Sequence, residues 1–285
     1  MEHVESPLQT LRRFGMRPRK DLGQHFLVDR GAAEAIVHAA LEVEPDGVIE
    51  IGPGLGVLTR LLAESGLPVV AIEKDEAMRG PLGELEAAYP NLRVRYEDVL
   101  RADLSGLTAA GGQAVIGNLP YQITSPLLEK LLTTVPPPVT VVVTVQKEVG
   151  ERLAARPGTK QYGSLTLLAA LYAPEPEIVR ELPPGVFLPA PKVRSLALRL
   201  TPRPDPLGDE ARRKRFFQVV AAAFGQRRKQ LRNALTGAAY LGLDHTLATR
   251  ALLAAGIEPK RRGETLSVDE FIALADSIAQ VTGGT

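Results

Sequence analysis

The feature that most limits what this chain can fold into is an alternation running from Gly31 to about Val145. Apolar residues at helical spacing trade places with short runs rich in Val and Ile. GAAEAIVHAALEV reads as helix, GVIEIGPG as a strand running into glycines, LGVLTRLLAESG as a helix stopping at Gly66, and PVVAIEKD as a strand. EAMRGPLGELEAAYP follows as a helix weakened by Gly80-Pro81 and Gly83; NLRVRYEDV and QAVIGN are strands, SPLLEKLLTTV a helix and VTVVVTVQ a β-branched strand. Parallel strands need a crossover between them, whereas antiparallel neighbours need only a turn. Strand and helix alternating through short links therefore predict a doubly wound, mostly parallel sheet. Farther on, EIVRELP and KVRSLALRLTP alternate apolar and polar residues and predict two antiparallel strands closing one edge. The expected fold is α/β and Rossmann-like, with a seven-stranded sheet.

The alternation ends at a linker. TPRPDPLGDE carries Pro202, Pro204 and Pro206, which neither a helix interior nor a central strand accepts. Beyond it, DEARRKRFFQVVAAAF, RKQLRNALTG, DHTLATRALLAAG and SVDEFIALADSIAQ read as helices with Asp or Ser at N-caps and Gly at ends. Three parts are expected: a basic N-terminal extension over 1–30, an α/β domain over 31–201 and a helical domain over 202–285. The 285 residues include no cysteine, so disulfides and thiolate metal sites are excluded and a reducing, cytoplasmic setting is expected. His3, His25, His38 and His245 have no ligand spacing, so no metal is expected. No run approaches the eighteen or so apolar residues of a membrane span.

Net charge is only +1, yet its distribution is uneven. Residues 31–190 hold 12 basic and 20 acidic side chains, whereas residues 191–262 hold 16 basic and 5 acidic. An acidic body beside a basic segment points to an anionic partner such as nucleic acid; solvated helix faces would give the same imbalance.

Chemistry enters at VIEIGPGLGVLTR, which sets Gly52, Gly54 and Gly56 between a strand and a helix. Glycines there let a ligand approach the backbone at the strand's carboxyl end. Glu73 closes the next strand 19 residues after Gly54, where a carboxylate can accept from ribose hydroxyls. A dinucleotide fingerprint would want G-x-G-x-x-G, and its last position is Val57 here. The form E-x-G-x-G-x-G is instead typical of S-adenosylmethionine enzymes, whose ligand has no pyrophosphate to seat. Asp98, after the third strand, can accept from an adenine amino group. Each acid alone would pass for a solvated strand end; together they mark three successive strand ends.

GNLPYQITSPLL should end the fourth strand beside the same crevice. Asn118 offers an amide oxygen, Leu119 a backbone carbonyl that Pro120 holds extended, and Tyr121 a flat ring. Two acceptors and a stacking surface suit a planar base bearing an amine. Such an amine is a poor nucleophile because its lone pair is delocalised into the ring. Hydrogen bonds from its two N–H groups favour a pyramidal nitrogen, so catalysis would be positioning and electrostatic preorganisation. The plainer reading is a turn with structural Asn and Pro.

DLGQHFLVD, EIGPGLGVLT, AIEKD, EDVL, GNLPYQITSPLL, VFLPAPKVRSLALRL and FGQRRKQLRNAL together resemble the KsgA-type (RsmA) small-subunit ribosomal RNA adenine dimethyltransferases, in that family's order. The resemblance runs from about Leu22 to the C-terminal helices. It implies a class I S-adenosylmethionine methyltransferase domain followed by an RNA-binding helical domain. It further implies dimethylation of the N6 amines of two adjacent adenosines in the 3′-terminal hairpin loop of 16S rRNA, within the immature 30S subunit. By position, Gln24, His25, Leu27, Gly52, Gly54, Glu73, Asp98 and Asn118 would border the cofactor. Asn118 and the Leu119 carbonyl, before Pro120, would hold the target amine. Tyr121 would stack on the base, with Phe187 on its other side. The family usually reads G-Q-N-F-L, so His25 is a departure. Arg212, Arg213, Lys214, Arg215, Arg227, Arg228, Lys229 and Arg232 would contact phosphates. A cytoplasmic monomer without membrane or metal is expected. Alternatives are a 30S assembly factor with methylation secondary, a large-subunit rRNA methyltransferase, or a DNA adenine methyltransferase.

Overall fold

A computed structural model describes residues 5–19, 21–104 and 112–283. The chain divides into two compact units: Met1–Gly150 with Ala173–Pro204, and Glu151–Tyr172 with Asp205–Thr285.

The first unit runs α1 (Pro7–Arg13), β1 (Phe26–Leu27), α2 (Arg30–Leu41), β2 (Gly47–Ile51), α3 (Val57–Glu64), β3 (Val69–Glu73), α4 (Arg79–Ala88) and β4 (Leu92–Tyr96). It continues with β5 (Gln113–Asn118), α5 (Thr124–Leu132), β6 (Thr140–Gln146), β7 (Glu177–Leu182), β8 (Phe187–Leu188) and β9 (Ser195–Leu200). Seven strands form one sheet in the order β4-β3-β2-β5-β6-β9-β7. The first five are mutually parallel, and β9 and β7 close the edge antiparallel. Every residue of β2 is buried, Glu50 included, as a strand covered on both faces requires. The strand order reverses between β2 and β5. Ligands bind at the carboxyl ends of such a sheet beside that reversal.

Register then fixes which side chains meet. Ile51 pairs with Ile72 on one side and Gly117 on the other. The next residues, Gly52, Glu73 and Asn118, therefore leave the sheet at one level. Glu73 in turn pairs with Tyr96, two residues before Asp98.

Two features of this unit had no clear sequence signal. β1 and β8 make a separate two-stranded ribbon, pairing Phe26 with Leu188 and Leu27 with Phe187. Two-residue strands carry no periodicity. The N-terminal stretch, read only as a basic extension, holds α1 behind a Ser6–Gln9 capping box, and Arg13 pairs with Glu5 and Glu84.

The second unit is helical. Helices Glu210–Gly225, His245–Ala254 and Val268–Thr282 start behind Asp209, Asp244 and Ser267, each side chain accepting from a first-turn amide. Such a cap stabilises a helix by about 1 kcal/mol. The helix expected over RKQLRNALTG covers only Leu231–Thr236, leaving Arg228, Lys229 and Gln230 ahead of it.

The boundary expected at residue 202 leaves out an earlier segment, since residues 151–172 group with the helical unit. Helix Ser164–Tyr172 buries residues on every side, among them Leu167, Leu168, Ala169 and Leu171. Tyr172 lies parallel to Phe217, with ring centroids 6.5 Å apart, and donates to Asp205 at 3.1 Å. A helix apolar all round has no amphipathic stripe, so its sequence does not say which core it joins.

Candidate active site

A cavity of about 210 Å³ opens at the carboxyl ends of β2 to β5, and every residue expected at the site except Phe187 lines it. Its floor is the glycine turn. Gly52, Gly54 and Gly56 all have positive φ, where a side chain would be strained. A Cβ on Gly54 would lie 2.9 Å from the Phe26 ring, and one on Gly56 2.3 Å from Leu85. Those two glycines thus admit close approach by the protein's own side chains, a packing role beyond the expected ligand approach.

Glu73 is held by backbone amides, and Asp98 by one amide and a lysine. Glu73, 7% exposed, accepts from Gly54 N at 3.0 Å and from Asp75 N at 2.7 Å, one on each oxygen. Burial pushes its carboxyl pKa up, against the pull of these amides. Asp98 accepts from Lys74 Nζ at 2.9 Å and from Leu100 N at 3.0 Å, and both hold its pKa below the usual range. Each carboxylate keeps further acceptor capacity. Gln24 donates to Asp75 at 2.6 Å and accepts from Arg19 N at 2.8 Å, tying Arg19 and Gln24 to the segment just after β3.

The amine side is built differently. Asn118 Nδ2 donates to the His25 carbonyl at 2.7 Å. A carbonyl only accepts, so the amide's NH₂ faces His25 and its Oδ1 is the oxygen left over. Leu119 N donates to Thr144 O at 3.2 Å, while the Leu119 carbonyl has no hydrogen-bond partner among the described residues. The Pro120 carbonyl is occupied by Ile123 N and the Thr124 hydroxyl. Tyr121 OH bonds Ser195 Oγ at 3.0 Å, and its ring stacks on His25 with centroids 5.4 Å apart.

Phe187 does not reach the cavity. It is 3% exposed, packs in the core and pairs with Leu27 in the β1–β8 ribbon. The two-residue pairing turns the ring inward, so the expected placement of Phe187 against a base is not met in this arrangement.

Two residues that the sequence reading left out belong here. Glu50, 1% exposed and lining the cavity, has Oε2 without a hydrogen-bond partner among the described residues. Burial pushes its carboxyl up to about 8, with the Glu73 charge adding and Thr59 opposing. An acid inside an otherwise apolar strand was its available signal. Lys130, on α5, donates to the carbonyls of Val99 at 2.8 Å, Leu100 at 3.1 Å and Ala102, clamping the loop that begins at Asp98. Nothing in SPLLEKLLTTV distinguishes that lysine from a solvated one.

In the helical unit the expected phosphate-binding residues separate into three sets. Arg212 holds Asp276 with two bonds, at 2.8 and 2.7 Å; Arg213 pairs with Asp205 at 3.1 Å; Arg227 pairs with Glu264 at 2.8 Å and donates to Thr159 O. Arg232 Nε is buried without a partner. Lys214, Arg215, Arg228 and Lys229 have no carboxylate partner among the described residues. Those residues include no group of three or more potential metal ligands and no helix long and apolar enough to cross a membrane.

Comparison with known proteins identifies the family and the fold. The sequence pattern of the family described as ribosomal RNA adenine dimethylase matches residues 15–280. The chain is 44% identical over 285 residues to the ribosomal RNA small subunit methyltransferase A of Geobacillus kaustophilus, covering 96% of each protein. It is 43% identical to the protein of that name from Shouchella clausii, covering 96% of this chain and 95% of that one. Among solved structures, a dimethyladenosine transferase from Plasmodium falciparum has TM-score 0.73 at 24% identity, covering 90% of this chain and 98% of its own. The 23S rRNA methyltransferase ErmE has TM-score 0.63 at 28% identity, covering 90% and 100%.

Proposed function

This chain belongs to the ribosomal RNA adenine dimethylase family, and from that premise we propose how its cavity serves the reaction. It is an rRNA adenine dimethyltransferase. Its methyl donor is S-adenosylmethionine. Its targets are the N6 amines of two adjacent adenosines in the 3′-terminal hairpin loop of 16S rRNA, presented by an immature 30S subunit. That substrate class puts the protein in the cytoplasm, where it acts as a monomer.

The single observation that carries this reading is the Asn118–Leu119 pair. One amide oxygen and one backbone carbonyl are left over beside the cavity, while neighbouring polar atoms are already bonded. An exocyclic amine has two N–H groups to give. Donating both to neutral acceptors favours the pyramidal nitrogen that can attack. Tyr121 offers the base a stacking face; unpaired loop bases are those a protein can take out of their stack.

The donor set fits the cofactor. Glu73 and Asp98 retain acceptor capacity for ribose hydroxyls and an adenine amine, and the orphaned Glu50 Oε2 suits an ammonium. When bound, the cofactor supplies an electrophilic methyl group. The protein's own part is to orient the amine, keep the acids as acceptors and exclude water. Incubation with unmethylated 30S subunits and methyl-labelled cofactor should put label on adenosine N6 in 16S rRNA. Absence of label there, with a working control enzyme, overturns the proposal.

A second role, as a factor that occupies the immature subunit, is favoured by Lys214, Arg215, Arg228 and Lys229, cations without carboxylate partners among the described residues. A Glu73→Ala protein that binds no cofactor should still associate with 30S subunits; loss of association would remove that role.

A further inference from the structure

The cavity has two sides, and His25 was expected on the cofactor side. Its bonds and its ring contact lie elsewhere. His25 precedes β1, one residue beyond the Phe26–Leu188 pair of the ribbon. There its Nδ1 lies 2.6 Å from the carbonyl of Pro189. A carbonyl cannot donate, so Nδ1 carries the proton, and in the neutral ring Nε2 is bare. The ring lies 26° from parallel with Tyr121, which Ser195 holds by the hydroxyl. The His25 backbone carbonyl takes the Asn118 amide. One residue therefore bears on both the plane of Tyr121 and the orientation of Asn118. Its neighbour Gln24 is bonded to Asp75 on the cofactor side, so the division falls between these two residues.

We propose that His25 is a positioning residue for the target base, backing the Tyr121 ring so that imidazole, phenol and adenine form one stack. This rests on the function proposed above. The base takes the face of Tyr121 opposite His25. The Pro189 bond keeps the imidazole from rotating, and the rigid pair presents Tyr121 without ordering it anew at each encounter. Asparagine, the family's usual residue here, offers an N–H but no ring. Histidine at this position has both the polar contact to Pro189 and an aromatic one to Tyr121.

Three full-length variants test this, each compared with wild type at saturating S-adenosylmethionine on unmethylated 30S subunits. His25→Ala should lower the single-turnover rate about 5- to 10-fold, the effect of one aromatic pair, and leave S-adenosylhomocysteine affinity within about 2-fold. His25→Phe, which stacks but cannot bond Pro189, should recover most of the rate. His25→Asn, which can bond but cannot stack, should stay with His25→Ala. A weakened S-adenosylhomocysteine affinity with an unchanged rate would return His25 to the cofactor side and overturn the proposal. So would a His25→Asn enzyme as fast as wild type. Should His25→Ala fail to fold, the Phe and Asn variants decide between the same outcomes. A wild-type protein that puts no label on rRNA defeats the function itself and this proposal with it; a labelling wild type with three unaffected variants defeats this proposal alone.

Discussion

The two sides of the cavity flank β2 in the sheet and are built on opposite plans. On the β3–β4 side the chain bonds its own acceptors: both oxygens of Glu73 and both of Asp98 already receive a donor. On the β5 side, the Leu119 carbonyl and Asn118 Oδ1 stay open while donors around them are used up. The difference follows from charge. A carboxylate drawn out of water is costly unless donors surround it, so amides and Lys74 hold Glu73 and Asp98 whether or not a ligand is present. Glu50, which lacks such a donor on Oε2 among the described residues, has its pKa pushed up instead. A neutral carbonyl at a cavity wall costs far less to leave unbonded. It can wait for an amine and keep its whole effect for the reaction.

That contrast is open to attack at several points. The largest effect belongs to the open side. Asn118→Ala should lower turnover on 30S subunits about 100-fold and change S-adenosylhomocysteine affinity less than about 3-fold, because one preorganised group is removed where the reaction needs it. A loss shared equally between rate and affinity would erase the distinction. Next comes Glu73→Gln, which turns an N–H toward an amide that needs an acceptor. Calorimetry should show S-adenosylhomocysteine binding weakened about 10- to 100-fold, and unchanged binding would free Glu73 of its role.

Lys130→Met should be milder, raising KM for the cofactor about 3- to 10-fold with kcat held, since it loosens the wall behind Asp98 without touching the amine. A fall in kcat at unchanged KM would put Lys130 on the other side. The smallest effect is on stability. Glu50 titrates near 8 in the fold against an ordinary 4.5, so between those values the folded protein binds more protons than the unfolded chain. Stability of the ligand-free protein should therefore fall as pH rises from about 5 to about 8, and Glu50→Gln should flatten that slope in thermal melts. Parallel slopes for the two proteins would show that the orphaned oxygen has a donor in solution.

Much of this was legible without coordinates. Gly52, Gly54, Glu73, Asp98 and Asn118 fall at successive strand ends, and an alternating chain can bring such ends together only at one edge of a parallel sheet. The helical tail was readable as far as its caps, because Asp209, Asp244 and Ser267 act over three residues. Contacts between distant segments were out of reach. Arg212 and Arg228 look alike in a string of basic residues, yet the first is bonded to an aspartate 64 positions away and the second has no such partner among the described residues. Phe187 sits in a motif that points to a base, and its ring lies in the core.

The sequence by itself determined the sheet, the strand ends at which chemistry gathers and the identity of the groups there. Local pattern and short-range hydrogen bonding suffice for these. Only the tertiary structure decided how each group is used. That Glu73 is already bonded, that the Leu119 carbonyl is not, and that His25 turns toward Tyr121 all depend on which remote backbone atom arrives within hydrogen-bonding distance. The 164 positions that separate His25 from Pro189 carry no local signal of that meeting; it is set by the pairing of a two-residue ribbon.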